Sequence, residues 1–369
     1  MKKILIVGQE TLERAGVQNV IMSIVRNLHE EFEFDIILRN SRKEEYDDEF
    51  LSYGGQIFRC LPLLGENALS KRLDYYIRGD KLYRYTRRII RKHGPYQAIH
   101  CHDALESAVF LKAAFKEGIP IRLVHSHHVF DISSENPIAQ MLDSRYMSMI
   151  KKYATKYMGD SDKTNITHFG INSEAVVIKA PYDDIKFDPT RYDLKKRDTK
   201  LIITQVGQYC PNKNQIFTVD TFSEIVKLYP NAQLNFVGFD SIGYLPTISE
   251  RIKKHGLQDK VKFYPQNTDI PLLLSQSDAF MFPSYTEGFG IAAVEAQAMG
   301  VRCYASDTIP LTTNCGGCTY LSLSLKPREW AEIILNDFKN SDERTVYDCS
   351  AYKSAAVKEE YRRIYSGLM

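Results

Sequence analysis

Two glutamates stand eight positions apart in the run Glu287-Gly288-Phe289-Gly290-Ile291-Ala292-Ala293-Val294-Glu295. The apolar residues 279–283 ahead of the run read as a buried strand, and residues 291–299 read as a helix. The glycines between them let the backbone turn its N–H groups outward. Together with the positive end of the helix dipole, those groups can hold a diphosphate. Glu287, on the loop, can accept hydrogen bonds from sugar hydroxyls. Glu295, inside the helix, can accept them from a ribose, as acidic residues do in dinucleotide sites. The plainer alternative is a glutamate that caps or salt-bridges its own helix. It fits poorly among Ala292, Ala293, Val294, Ala296 and Ala298, where an unpaired carboxylate is costly. A second piece lies upstream. Gly207 and Gln208 follow the apolar run 201–206, and Lys213-Asn214 precedes a helical stretch, a favourable place for a phosphate.

Other chemistry-bearing residues are less specific. Of nine histidines, His100, His102, His125, His127 and His128 cluster in the first half, and by residue type alone each is as readily structural as catalytic, with a metal site conceivable but not called for. Seven cysteines follow no regular spacing. Cys315 and Cys318 make one pair, but a zinc site needs a second pair or two suitably placed histidines, and none is near in sequence. Residues 71–92 carry nine Lys or Arg, from Lys71 to Lys92, against Asp74 and Asp80. Leu73, Tyr76, Ile77, Leu82, Tyr83, Tyr85, Ile89 and Ile90 are interleaved with them. Such a segment reads either as an interfacial helix on anionic lipid or as a solvated helix whose apolar stripe faces the core. Outside this segment the chain is not basic, which argues against nucleic acid as a partner.

These residues need a scaffold, and the chain has length for two domains at 369 residues. Apolar content of 44% and charged content of 25% suit a globular protein. The short apolar run after Met1-Lys2-Lys3 ends at Gln9 and Glu10, too brief for an export signal, and no stretch of about 18 apolar residues occurs. With reduced thiols, a cytoplasmic location is the expectation. Short β-branched runs alternate with amphipathic segments. Strands are expected at 4–7, 34–38, 56–59, 98–100, 121–124 and 156–159, and helices at about 17–29, 105–117 and 137–153. Residues 181–200 break the rhythm with two prolines and clustered charge, as a linker does. Strands at 201–206, 233–237, 261–264, 279–283 and 302–305 then resume it. The expectation is α/β, with a parallel doubly wound sheet in residues 1–182 and another in 183–352. A last helix at about 353–369 closes the second half or crosses back to the first. Ligands of such sheets bind beyond the strands' carboxyl ends, so a cleft between two facing sheets is the expected site.

With these pieces in order, the chain resembles the GT-B glycosyltransferases of family 4, whose E-x7-E signature matches Glu287 and Glu295. The likeness spans nearly the whole chain through Ala15-Gly16-Val17, Ile99-His100-Cys101-His102, Leu123-Val124-His125-Ser126-His127, Asp160-Ser161 and Val206-Gly207 with Lys213-Asn214. Glu295-Ala296-Gln297-Ala298 and Lys326-Pro327 with Trp330 give it the flavour of bacterial capsule and exopolysaccharide transferases. The resemblance implies two Rossmann-like domains facing across a cleft and retaining transfer from a nucleotide sugar, commonly a UDP-sugar, to a lipid-linked sugar or glycan. It implies no metal and no cofactor beyond the donor. By the same resemblance Gly16 faces the donor diphosphate and His125 contacts the transferring sugar, with His127 and His102 as further candidates on the acceptor side. Lys213 neutralises the diphosphate beside Gly207 and Gln208. Phe263, Pro265 and Gln266 border the base. Glu287 holds the sugar, Gly288, Phe289, Gly290 and Ile291 line the diphosphate turn, and Glu295 holds the ribose. The basic segment would then meet the membrane at the inner face of the plasma membrane. Gln208 stands where such enzymes usually have arginine, and it motivates an alternative: a non-catalytic, transferase-like subunit that binds an acceptor or a partner enzyme. An NAD-dependent oxidoreductase is disfavoured, since Gly8-Gln9-Glu10 replaces the glycine fingerprint after the first strand.

Overall fold

A computed structural model describes residues 1–13, 16–60, 68–103, 105–127, 137–170, 174–194, 199–340 and 344–368, and for 68–78, 137–139 and 142 the backbone alone. The chain divides into two compact units, Met1–Pro181 with Ser354–Met369, and Tyr182–Lys353.

In the first unit the strands are β1 (Lys2–Val7), β2 (Phe32–Leu38), β3 (Ile57–Arg59), β4 (Tyr96–Cys101), β5 (Ile121–Ser126), β6 (Lys156–Gly159) and β7 (Val176–Val177). They pair in parallel in the order β3-β2-β1-β4-β5-β6-β7. The central strands are apolar on both faces (Ile4, Leu5 and Ile6 are fully buried), as parallel strands covered by helices must be. The helix Gly16–Leu28 packs its apolar stripe inward. The basic helix runs Ala68–His93. Its C-terminal half packs Ile89 and Ile90 into the core, with Leu82, Tyr83 and Tyr85 against it. Arg87 and Arg91 both pair with Glu117, while Lys81, Arg84, Arg88 and Lys92 are exposed.

The last helix, Ser354–Ser366, belongs to this unit. Tyr361 and Tyr365 are almost wholly buried, the Tyr365 ring lies 5.6 Å from that of Phe32, and Arg362 and Lys358 pair with Glu31. Burying two aromatic side chains supplies far more than the exposed ion pairs do.

The second unit carries β8 (Leu201–Val206), β9 (Ala232–Gly238), β10 (Val261–Pro265), β11 (Ala279–Phe282), β12 (Arg302–Ser306) and β13 (Cys318–Leu321), paired in parallel as β10-β9-β8-β11-β12-β13. The helix Asp162–Phe169, strand β13 and the helix Pro327–Asn340 were not anticipated from the sequence. The first is only eight residues long and polar, held by a Ser161–Thr164 capping box. The short β13 has a half-buried pattern that its sequence does not advertise.

Candidate functional site

In the second unit the chain runs outward from β8 to β9 and β10, then returns to β11 on the other side of β8. That reversal is the topological switch point, where a doubly wound sheet opens a crevice at its carboxyl edge. The two loops that flank it are those after β8 and β11. They bring Lys213 Nζ to 2.5 Å from Glu287 Oε1, with both side chains largely buried and the ammonium 5.8 Å from the centre of the Phe282 ring. Backbone and side-chain amides stitch the loops together: Asn212 Nδ2 donates to the Thr286 carbonyl at 2.9 Å, the Tyr285 N–H to the Asn212 carbonyl at 2.9 Å, and Gln205 Nε2 to the Lys213 carbonyl at 2.7 Å. Lys213 therefore stands on a braced turn rather than a free loop.

Gly290 caps the helix Ile291–Ala298 with φ 95°, and a Cβ there would lie 3.0 Å from Phe282 Cε1, so only glycine fits without strain. No side chain caps this helix, and its first N–H groups remain available for an anion. Gly207 packs equally closely: a Cβ on neighbouring Gly238 would come within 2.1 Å of its carbonyl oxygen. Gln208 directs its side-chain amide to Ser241 Oγ and accepts at its carbonyl from Gln215. Glu295 is half-buried, and desolvation pushes its carboxyl up to about 8, with Lys186 opposing and Asp183 adding to the rise. Phe263 is 39% exposed and stacks on Phe236 at 5.5 Å, while Pro265 and Gln266 are exposed at the end of β10. Gly288 and Ile291 are half-buried, and Phe289 is buried with its ring 5.7 Å from that of Tyr352.

The first unit places its candidates differently. Gly16 opens its helix, exposed, with no atom within 4 Å of where a Cβ would be. His100, His102, His125 and His127 lie together because β4 and β5 pair in parallel and H-x-H puts alternate residues on one face. All four are buried. His125 Nε2 bonds Asp160 Oδ1 at 3.0 Å, and His127 Nδ1 bonds Asp160 Oδ2 at 3.0 Å. His102 Nδ1 meets His127 Nε2 at 2.9 Å, and His100 Nδ1 meets the Tyr365 hydroxyl at 2.8 Å. The structure thus gives His125 and His127 partners inside the protein. Burial holds His125 down at about 4, with Asp160 opposing the shift, and the two imidazolium-capable partners hold the Asp160 carboxyl low despite its burial. Asp160 entered the sequence reading only as part of the Asp160-Ser161 match, with no role; its pairing with two histidines depends on β5 and β6 lying side by side. His128 lies outside the described residues.

Residues 186–314 match the family model described as glycosyl transferases group 1. EpsF of Bacillus subtilis (strain 168), a protein named as a glycosyltransferase, is 26% identical over 338 residues, 88% of this chain and 84% of its own. A UDP-Gal:alpha-D-GlcNAc-diphosphoundecaprenol alpha-1,3-galactosyltransferase of Escherichia coli is 24% identical over 315 residues, 79% of this chain and 76% of its own. In fold, the crystal structure of Anabaena HepE in complex with UDP superposes with a TM-score of 0.75 at 14% identity, over 100% of both chains. Over residues 186–314 this chain is similar to the group 1 glycosyl transferases, and its fold is that of the GT-B structures it superposes on.

Proposed function

We propose that the protein is a retaining transferase that moves a hexose or N-acetylhexosamine from a UDP-sugar to a lipid-linked or glycan acceptor in bacterial surface polysaccharide synthesis. The observation that carries this is the meeting of Lys213 and Glu287 at the switch point, beside an uncapped helix start. In this reading Lys213 and the first N–H groups of Ile291–Ala298 take the diphosphate, so charge on the leaving group is met by fixed donors and no metal is needed. Glu287 turns from Lys213 to the sugar hydroxyls as the anion enters. Glu295 accepts from the ribose, and the end of β10, with Phe263, Pro265 and Gln266, borders the base. Similarity to a UDP-galactose-using enzyme with a diphosphoundecaprenol acceptor supports both the uridine and the lipid-linked halves.

For the acceptor side the basic helix offers a surface hollow of about 430 Å³ lined by Arg84, Arg87, Arg88, Arg91 and Lys92, suited to an acceptor phosphate or an anionic membrane face. No helix among the described residues is long and apolar enough to cross a membrane.

Transfer and donor hydrolysis by wild type and Glu287→Ala across a panel of nucleotide sugars test the reading; equal rates in the two remove Glu287 from the site. Gln208, with its amide turned to Ser241 and no cation in its place, favours a second reading as a non-catalytic subunit. Absence of UDP binding by calorimetry at millimolar ligand would select it.

A further inference from the structure

The histidine cluster holds an asymmetry of hydrogen bonding that packing does not explain. Asp160 accepts from both His125 Nε2 and His127 Nδ1. A carboxylate accepts only, so each of those nitrogens carries the proton of its ring. A neutral His125 then keeps its lone pair on Nδ1. His102 Nδ1 meets His127 Nε2 at 2.9 Å, which leaves His102 Nε2 on the other edge of its ring. None of His125 Nδ1, His102 Nε2 and His100 Nε2 has a hydrogen-bond partner among the described residues. His100, His102 and His125 are respectively 0%, 1% and 0% exposed. One ring nitrogen of each lies within 4.8 Å of the others. A buried ring nitrogen without a partner is costly, and packing alone does not account for three on neighbouring rings.

We propose that His100, His102 and His125 form a three-nitrogen site for a divalent transition-metal ion, zinc or a neighbour of it. The inference goes beyond the transfer reading, whose Lys213, Glu287 and Glu295 lie in the other unit. Three imidazoles are the donor set that suits zinc, cobalt, nickel or copper, and three protein ligands leave a position for water or a further ligand. The surroundings are those of a metal site. Asp160 orients His125 directly and His102 through His127, and its charge offsets part of the ion's. Tyr365, from the last helix, orients His100 through its 2.8 Å hydrogen bond to Nδ1, and Nε2 ligates either already bare or by giving up its proton on binding. The ion would tie β4 and β5 to the C-terminal helix, a structural role.

Cobalt(II) is the probe. The full chain, stripped with a chelator, is titrated with cobalt(II) and followed in the visible region, with elemental analysis of the protein as purified. One ion per chain, with the ligand-field bands of a nitrogen-bound ion that zinc displaces, is the expected result. His100→Gln and His102→Gln should abolish the bands. Asp160→Asn, which keeps all three ligands, should weaken binding roughly 10- to 100-fold. His29→Gln, a surface control, should change nothing. Failure of wild type to bind one cobalt overturns the site, as do bands that survive both ligand substitutions. If the variants misfold by circular dichroism, the wild-type titration decides alone.

Discussion

Removing the Lys213 ammonium by Lys213→Ala leaves the Glu287 carboxylate largely buried and unpaired where the diphosphate would sit. Loss of a charged hydrogen-bond donor, with a like charge left facing the ligand, should weaken UDP binding roughly 10- to 100-fold by calorimetry. Glu295 gives a pH signature. Its carboxyl is raised in the folded protein from 4.5 to about 8, so between those values the free protein holds a proton that the unfolded chain has lost. The fold is therefore favoured at the acid end of that window, and this contribution fades as pH rises through 8. Ribose hydroxyls that donate to the carboxylate pull the other way. UDP binding should release a proton below pH 8, and affinity should climb with pH and level off above it. Calorimetry in buffers of different ionisation heat reads the proton, and Glu295→Gln should abolish both effects. The two glutamates and Lys213 were visible in the sequence because their types and neighbours are unusual for plain packing. The desolvation of Glu295 was not, since it depends on which atoms of other elements close over the helix.

At the scale of elements, Gly290 is the hinge between strand and helix. Gly290→Ala places a Cβ at φ 95° and 3.0 Å from the Phe282 ring, a strain of about 1–3 kcal/mol that should lower the melting temperature of the second unit by several degrees. The basic helix was read from sequence in two ways, and the structure packs the apolar stripe of its C-terminal half against the core. Ile89 and Ile90 supply the core, while Arg84, Arg88 and Lys92 stay outside with no core role. Arg84→Glu with Arg88→Glu should therefore leave folding intact and abolish sedimentation with anionic vesicles; unchanged sedimentation would remove the helix from any membrane contact. Alternation of strand and helix was legible because buried parallel strands are continuous apolar runs. Short or half-buried elements such as β13 escaped for want of that contrast.

For the whole molecule, two units imply two unfolding transitions, separable by ligand. Saturating UDP at a hundred times its Kd should stabilise the unit holding Lys213 and Glu287 by about 2.7 kcal/mol and leave the other transition in place. Truncation after residue 353 should do the reverse, since Tyr361 and Tyr365 fill the core of the first unit. The sequence by itself determined the alternating α/β plan, the break near residues 181–200 and the glutamate–glycine segment. Each of these is a local property, set by side-chain period, backbone freedom and residue type. The tertiary structure decided which strands are neighbours, and so that Lys213 meets Glu287, that His102 lies beside His125, and that the last helix belongs with the first unit. Those are contacts between residues distant in the chain. They depend on sheet order and on which buried face each segment completes, which no local pattern records.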